Sequence, residues 1–250
     1  MIIDVILNFD FLFFSIFLAQ SYALYKIYPS VLFLFNKSEK FRKCKEPKQY
    51  YIVKNIMKTV CMAIISFFLI VAFIPNLLNN NWNDTHNRII GVFYVSNDLA
   101  GLWAVPNLPR STKLHHMTTV TLFTIICSIS TENEDNIGKL IAVYTIFSCI
   151  PFLVNLFLAV RFFYNKQGDD PLNEIQIREN KMIEVNRLLA YYIYLVCCIG
   201  NWIYHGGFLL SKIWMFELSL SYIFYYLLLV PIVNDDLVLL SWLKSKRLEL

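Results

Sequence analysis

The sequence predicts an all-α, polytopic membrane bundle of about seven transmembrane helices, N-terminus lumenal and C-terminus cytosolic. Three observations predict it. The 250 residues are 57% hydrophobic and 16% charged, with a mean hydropathy of +0.51, against about 45–50% apolar and about 25% charged in soluble domains. Apolar runs recur at a spacing suited to spans: a helix of about 20 residues plus a short loop uses roughly 30–35 residues, so this length holds about seven. The basic residues fall in alternate loops rather than along one amphipathic face, so the net charge of +4 reads as membrane topology and not as a nucleic-acid surface. Aromatic residues make up 16% while glycines number only 7, which excludes disordered and linker-rich layouts.

The first run, Phe11 to Phe35, follows Asp4 and Asp10 and lacks a basic n-region and a small-residue cleavage site, so it is expected to be retained rather than removed as a signal peptide. The second, Ile56 to Pro75, is also strongly apolar. The third, Ile89 to Pro106, and the fourth, Leu114 to Ser130, are short and polar, interrupted by Ser96, Asn97 and Asp98 and by His115, His116 and several threonines; polar spans face the protein interior. The fifth, Ile137 to Phe163, carries Pro151 near its middle, which frees a backbone carbonyl and kinks the helix. The sixth is Leu188 to Tyr204, extended into the cytosol by a solvated helix from Pro171 to Arg187, and the seventh is Ile213 to Val233.

Lys37, Lys40, Arg42, Lys43, Lys45, Lys48, Lys54 and Lys58 load the first loop, Arg110 and Lys113 the third, Lys166, Arg178, Lys181 and Arg187 the fifth, and Lys244, Lys246 and Arg247 the tail. The intervening loops are Asn-rich (Asn76 to Asn87) or acidic (Glu132, Glu134, Asp135), which sets the orientation and requires an odd number of spans. Asn83-Asp84-Thr85 is a glycosylation sequon on the lumenal side of that topology. Five of the 6 cysteines lie inside apolar runs and Cys44 in a basic loop, so neither disulfides nor zinc is indicated. No internal repeat supports a transporter of inverted halves.

The polar residues left inside the spans are the candidate site. A charge at mid-bilayer costs about 2.5–3.5 kcal/mol on insertion scales, so each needs a partner or a function. Helical spacing puts Tyr94, Asn97, Asp98 and Gly101 on one face; Asp98 is either an architectural clamp or a functional group. His115 and His116 open the fourth span about 100° apart, so they cannot converge on one atom, and a metal site from the pair alone is disfavoured. His115 shares a face with Thr118 and Thr119, whereas His116 can turn toward the helix bearing Asp98, an imidazole–carboxylate pairing suited to general-base or nucleophilic chemistry. Further polar rows are Tyr144, Ser148, Pro151 and Asn155 on the fifth span, Tyr194, Cys198, Asn201 and His205 on the sixth, and Glu217, Ser221 and Tyr225 on the seventh. Such residues serve as interhelical glue or line a polar cavity.

The segment Phe93 to Phe163 resembles the TLC-domain family, which includes ceramide synthases and translocating-chain-associating membrane proteins. The resemblance is carried by "FYVSNDLAGLW", the His pair of "RSTKLHHMTTV" 17 residues after Asp98, and "YTIFSCIPFLVNLFLAVRFF". It implies a first helix and basic cytosolic loop over residues 1–49, a TLC-like six-helix domain over 50–244 and a short basic tail over 245–250. It also implies an endoplasmic-reticulum or related endomembrane protein of lipid metabolism whose helices surround a long acyl chain. By the same resemblance His115 and His116 would be the acyl-transfer centre, with Asp98 as the orienting acid. Ceramide synthases carry a further His-Asp and Asp after the pair; the matching region here, Gly138 to Ser148, has neither, which places the chain nearer the non-ceramide-synthase branch.

Two functions are therefore expected to compete: a His-dependent lipid acyltransferase, and a non-catalytic lipid-binding, lipid-sensing or membrane-homeostasis protein. For the first, no permanent cofactor or metal is required; acyl-CoA would be the co-substrate, its phosphates held by Arg110, Lys113 and Arg161. Membrane lipids are the expected partners, with a sphingoid or glycerolipid acceptor; nucleic acid is not expected, and a homodimer is left open. A retinal protein would need a lysine within the last span, whereas Lys212 stands at its start and none follows before Lys244. No selectivity ring suggests a channel.

Overall fold

A computed structural model describes residues 9–74, 79, 81–132, 137–164 and 173–245. Among these every regular element is a helix. In chain order they are α1 (Phe11–Phe35), a short α2 (Glu39–Arg42), α3 (Glu46–Phe68, continued by a π-helical turn Leu69–Phe73), α4 (Asp84–Ala104), α5 (Arg110–Ile126), α6 (Ile137–Cys149), α7 (Phe152–Val160, closed by a 3-10 turn Arg161–Phe163), α8 (Glu174–Trp214) and α9 (Leu220–Ser245). Four helices are long and apolar enough to cross a membrane, namely α1, α3, α8 and α9, and a fifth is added if α6 and α7, bent by 43°, form one span. The two polar runs of the sequence are helices of 21 and 17 residues, α4 and α5. The predicted Pro75 terminus, residues 76–78 and 80 of the Asn-rich loop, Glu134, Asp135, Lys166, Pro171 and residues 246–250 lie outside the described residues.

Local chemistry sets several of these boundaries. The Asp10 carboxylate accepts from the Phe13 amide at 3.1 Å and starts α1. Asn173 and Gln176 form a reciprocal capping box that starts α8, satisfying amides a helix N-terminus otherwise leaves unpaired. Pro151 has no amide hydrogen and separates α6 from α7. The Cys149 carbonyl next to that break accepts instead from the Ser66 hydroxyl of α3 at 2.8 Å.

Two sequence boundaries are corrected. The sixth helix does not stop at Tyr204, and the seventh does not start at Ile213: α8 runs on to Trp214, and the chain turns over residues 215–219 before α9. Phe216 adopts a left-handed conformation there (φ 56°) and Lys212 pairs with Glu217 at 2.7 Å. Glu217 is therefore part of a turn and not of an inward helical face. The last helix continues past Val233 to Ser245, taking Asp235 and Asp236 inside it. Lys54 and Lys58, counted above with a basic loop, are buried residues of α3.

α1 packs on α4, α3 on α7, α5 on α4 and α9, and α8 on α7 and α9. The largest core joins Phe17, Met62, Leu69, Val92, Phe123, Ile141 and Tyr225 from six helices. Outward-facing residues such as Leu12, Phe67, Val196 and Leu227 are more than 60% exposed, a surface suited to lipid rather than water. One end of the bundle is closed by polar ties: Arg88 pairs with Asp10 at 2.7 Å, the Thr131 hydroxyl donates to Asp84 at 2.6 Å, and the Asp10 amide donates to the Cys127 carbonyl at 2.7 Å.

A tight helix contact lies at Gly91 of α4, where a Cβ would stand 2.8 Å from the buried Phe123 ring of α5. Gly91→Ala is expected to destabilise the bundle by about 1–3 kcal/mol through overpacking, read as a lower thermal unfolding midpoint in detergent.

Candidate functional site

Asp98, in the second turn from the end of α4, is completely buried. The Lys58 ammonium of α3 pairs with its Oδ1. His116 of α5 places Nδ1 3.0 Å from the same oxygen, and the Thr119 hydroxyl stands 3.2 Å from Oδ2. Thr119 is also 2.9 Å from the His116 carbonyl, so its single proton serves one acceptor at a time. Lys58 lies 4.7 Å from the centroid of the Tyr94 ring, whose face adds to the stabilisation of the ammonium.

His115, one residue earlier, turns the other way. Its Nδ1 is 3.5 Å from Asp235 Oδ2 on α9, and its ring stands at 84° to that of His116 with centroids 5.6 Å apart. Successive helical residues thus serve two different carboxylates from two different helices, as the 100° step requires. Asp98, His115 and His116 bring ligand atoms within 4.8 Å of one another, a separation a metal could exploit only after displacing the Lys58 ammonium from Asp98 Oδ1.

Both histidines line a cavity of about 300 Å³, walled by α3, α4, α5, α7, α8 and α9. The wall includes Lys54, Lys58, Tyr94, Arg161, Asp235 and Asp236. The Arg161 guanidinium sits 4.5 Å from the Trp242 ring centroid and 5.5 Å from that of Tyr51. Lys54 threads its stem past Gly101, where a Cβ would stand 3.2 Å from the lysine chain. Asp236 Oδ1 accepts from the Tyr194 hydroxyl of α8 at 2.6 Å.

Of the residues singled out from sequence, Tyr94, Ser148, Asn155 and Arg161 share the cavity wall with the two histidines. Asp98 and Thr119 stand behind the wall, on His116. Tyr144 lies with Thr119 and Tyr94 around a smaller neighbouring void. Asn97 is spent on the Phe93 carbonyl at 2.9 Å, and Thr118 is buried outside the cavity. Asn201 and His205 form a separate group: His205 Nδ1 is 2.8 Å from the Asn201 carbonyl and Nε2 2.8 Å from the Tyr225 hydroxyl. Glu217, Ser221, Arg110 and Lys113 are exposed and outside the cavity.

Sequence reasoning missed Lys54, Lys58, Asp235 and Asp236. The signal for the first two was available: Lys54, Lys58 and Met62 follow one helical face (i, i+4, i+8) into the apolar run. For the aspartates, the apolar run ends where they begin, and only the resumed run of Leu237 to Leu240 hints that the helix continues.

No protein-family model, curated protein or solved structure matches the chain.

Removing one member of a buried ion pair strands the other, at a cost of about 3–5 kcal/mol, whereas an apolar replacement of both is close to neutral. Asp98→Leu is expected to lower the detergent unfolding midpoint sharply, and Asp98→Leu combined with Lys58→Met to recover much of the loss. An additive double variant would show that the pair contributes no coupling.

Proposed function

We propose that this chain is a multi-pass endomembrane lipid acyltransferase that carries the acyl group on His115. The observation that supports this most directly is the His115–Asp235 pair on the cavity wall, set beside a second His–Asp pair that is already committed to structure. Asp98 has its charge matched by Lys58. Among the described residues Asp235 has no lysine or arginine within ion-pair distance, so its charge is available to the imidazole it faces. Asp235 stands 3.5 Å from Nδ1 without hydrogen-bonding it; on closer approach in a complex its carboxylate would fix the tautomer that leaves the Nε2 lone pair free and stabilise the imidazolium that forms on attack at a thioester carbonyl.

Lys54 and Arg161 supply positive charge at the cavity without a carboxylate in ion-pair distance among the described residues. That suits an anionic donor such as acyl-CoA, whose phosphates would be held there. The acyl chain would gain about 0.8 kcal/mol for each methylene it buries. His116, Asp98, Lys58 and Thr119 form the buried frame that positions α5.

In this reading the chain crosses the membrane seven times, with α4 and α5 as polar interior spans and α6–α7 as one bent span. The cavity lies at the bundle end that receives the lysine-rich loops, the cytosolic side where acyl-CoA is found; the N-terminus is lumenal.

Incubation of purified protein with palmitoyl-CoA is expected to give an acyl adduct by intact mass spectrometry. The adduct should be absent from His115→Ala and form at least about 100-fold more slowly in Asp235→Asn. Co-purifying lipid without an adduct in the wild type would instead assign the cavity to lipid binding alone. In sealed microsomes, whose outer face is cytosolic, a membrane-impermeant maleimide is expected to label Cys44 in the basic loop without permeabilisation; labelling only after permeabilisation would reverse the orientation.

A further inference from the structure

We infer that Asp236 is the base that takes the proton of the acyl acceptor, a role distinct from that of its neighbour Asp235. The inference rests on the acyl-transfer reading above and adds the second half of the reaction to it.

The two aspartates are consecutive on α9 and both line the cavity, yet they are held differently. Asp235 faces His115. Asp236, 6% exposed, accepts at 2.6 Å from the hydroxyl of Tyr194, which shares the cavity wall with it, and the Trp202 indole is nearby. No lysine, arginine or histidine forms an ion pair with it among the described residues. A carboxylate offers about four acceptor sites, so one bond from Tyr194 anchors the group and leaves capacity on the cavity side.

The chemistry needs such a group. In the first half, the His115 Nε2 lone pair attacks the thioester carbon, the C–S bond breaks, and the thiolate leaves with its electron pair and is protonated by water at the cavity mouth. His115 now holds the acyl group on Nε2 and a proton on Nδ1, on the side that faces Asp235, and has no lone pair left to act as a base. In the second half, an acceptor hydroxyl or amine attacks the acyl carbon. Its proton passes to Asp236, the C–Nε2 bond breaks and returns its pair to the imidazole. Asp236 then releases the proton to solvent, matching the one consumed by the thiolate. Asp235 faces the protonated Nδ1 of the acylated ring, so the acceptor's proton falls to the other aspartate. Two adjacent carboxylates, one on the histidine and one facing open cavity, divide the work.

The test follows adduct formation and decay separately, in detergent-purified full chain with palmitoyl-CoA as donor and with water, sphinganine or a monoacylglycerol as acceptor. Asp236→Asn is expected to acylate within about twofold of the wild-type rate but to discharge the adduct about 100-fold more slowly, so that adduct accumulates. Hydroxylamine, a nucleophile that needs no base, should cleave the adduct equally in both proteins. Asp236→Glu should restore part of the discharge rate, and Asp236→Ser replaces Asp236→Asn if the latter does not fold. Discharge within about twofold of wild type for every acceptor would overturn the inference and move the role to His116. A folded variant that forms no adduct would also overturn it, by placing Asp236 in the donor half. Absence of adduct in the wild type would instead remove the acyl-transfer reading on which the inference stands.

Discussion

The carboxylate of Asp98, with no exposed surface inside an apolar bundle, is the constraint around which the other helices are arranged. An ionised carboxylate there is tolerable only with a counter-charge and hydrogen-bond donors. Lys58 supplies the charge from α3, and Thr119 and His116 approach from α5. Three helices are thereby fixed in rotation relative to one another. The face of α4 that carries Asp98 also carries Gly101, and the missing Cβ there gives room for the stem of Lys54. One buried acid thus accounts for the burial of Lys58 and the rotation of the histidine helix.

Polarity divides the bundle by end. At the far end Asp10, Arg88, Asp84 and Thr131 tie α1, α4 and the segment after α5 into a closed network of short bonds. At the near end the polar groups do not close on one another: Asp235, Asp236, Lys54 and Arg161 line open space. A set of polar groups that satisfies itself is structural, and one that surrounds a cavity has capacity left for a ligand. The break at Pro151 contributes to that space, because the chain bends by 43° where α7 turns to bring Asn155 and Arg161 onto the wall.

The all-helical character was legible in composition, and each of the seven apolar runs proposed from sequence overlaps a helix, although residues 105–106, 127–130, 150–151 and 215–219 of those runs are turns or irregular. Asp98 and the two histidines were legible because a polar group inside an apolar run stands out against its surroundings. Lys54 and Lys58 were not, because they abut a lysine-rich loop and a charge at the foot of a span looks like a topology signal whether it faces solvent or the interior. Asp235 and Asp236 were hidden for the converse reason: two acids after an apolar run read as its end, whereas here the helix continues through them to Ser245. Spacing along one helix also shows which residues share a face, but not which helix that face meets. The turn of His116 toward the helix of Asp98 was expected from sequence, whereas the pairing of His115 with α9 is visible only in the packed bundle.

That pairing distinguishes two chemically identical side chains. The Asp98 carboxylate already has the Lys58 ammonium as a counter-charge, and the couple holds His116 in place within a fully buried frame. Asp235 has no such partner among the described residues, and its histidine, at 12% side-chain exposure against 4% for His116, is the more open to a ligand. The difference originates in α3: Lys58 lies within reach of one of the two aspartates and not the other. The same lysine that neutralises Asp98 binds it into the frame of the bundle, whereas the pair on α5 and α9 faces the cavity without a cation in ion-pair distance among the described residues.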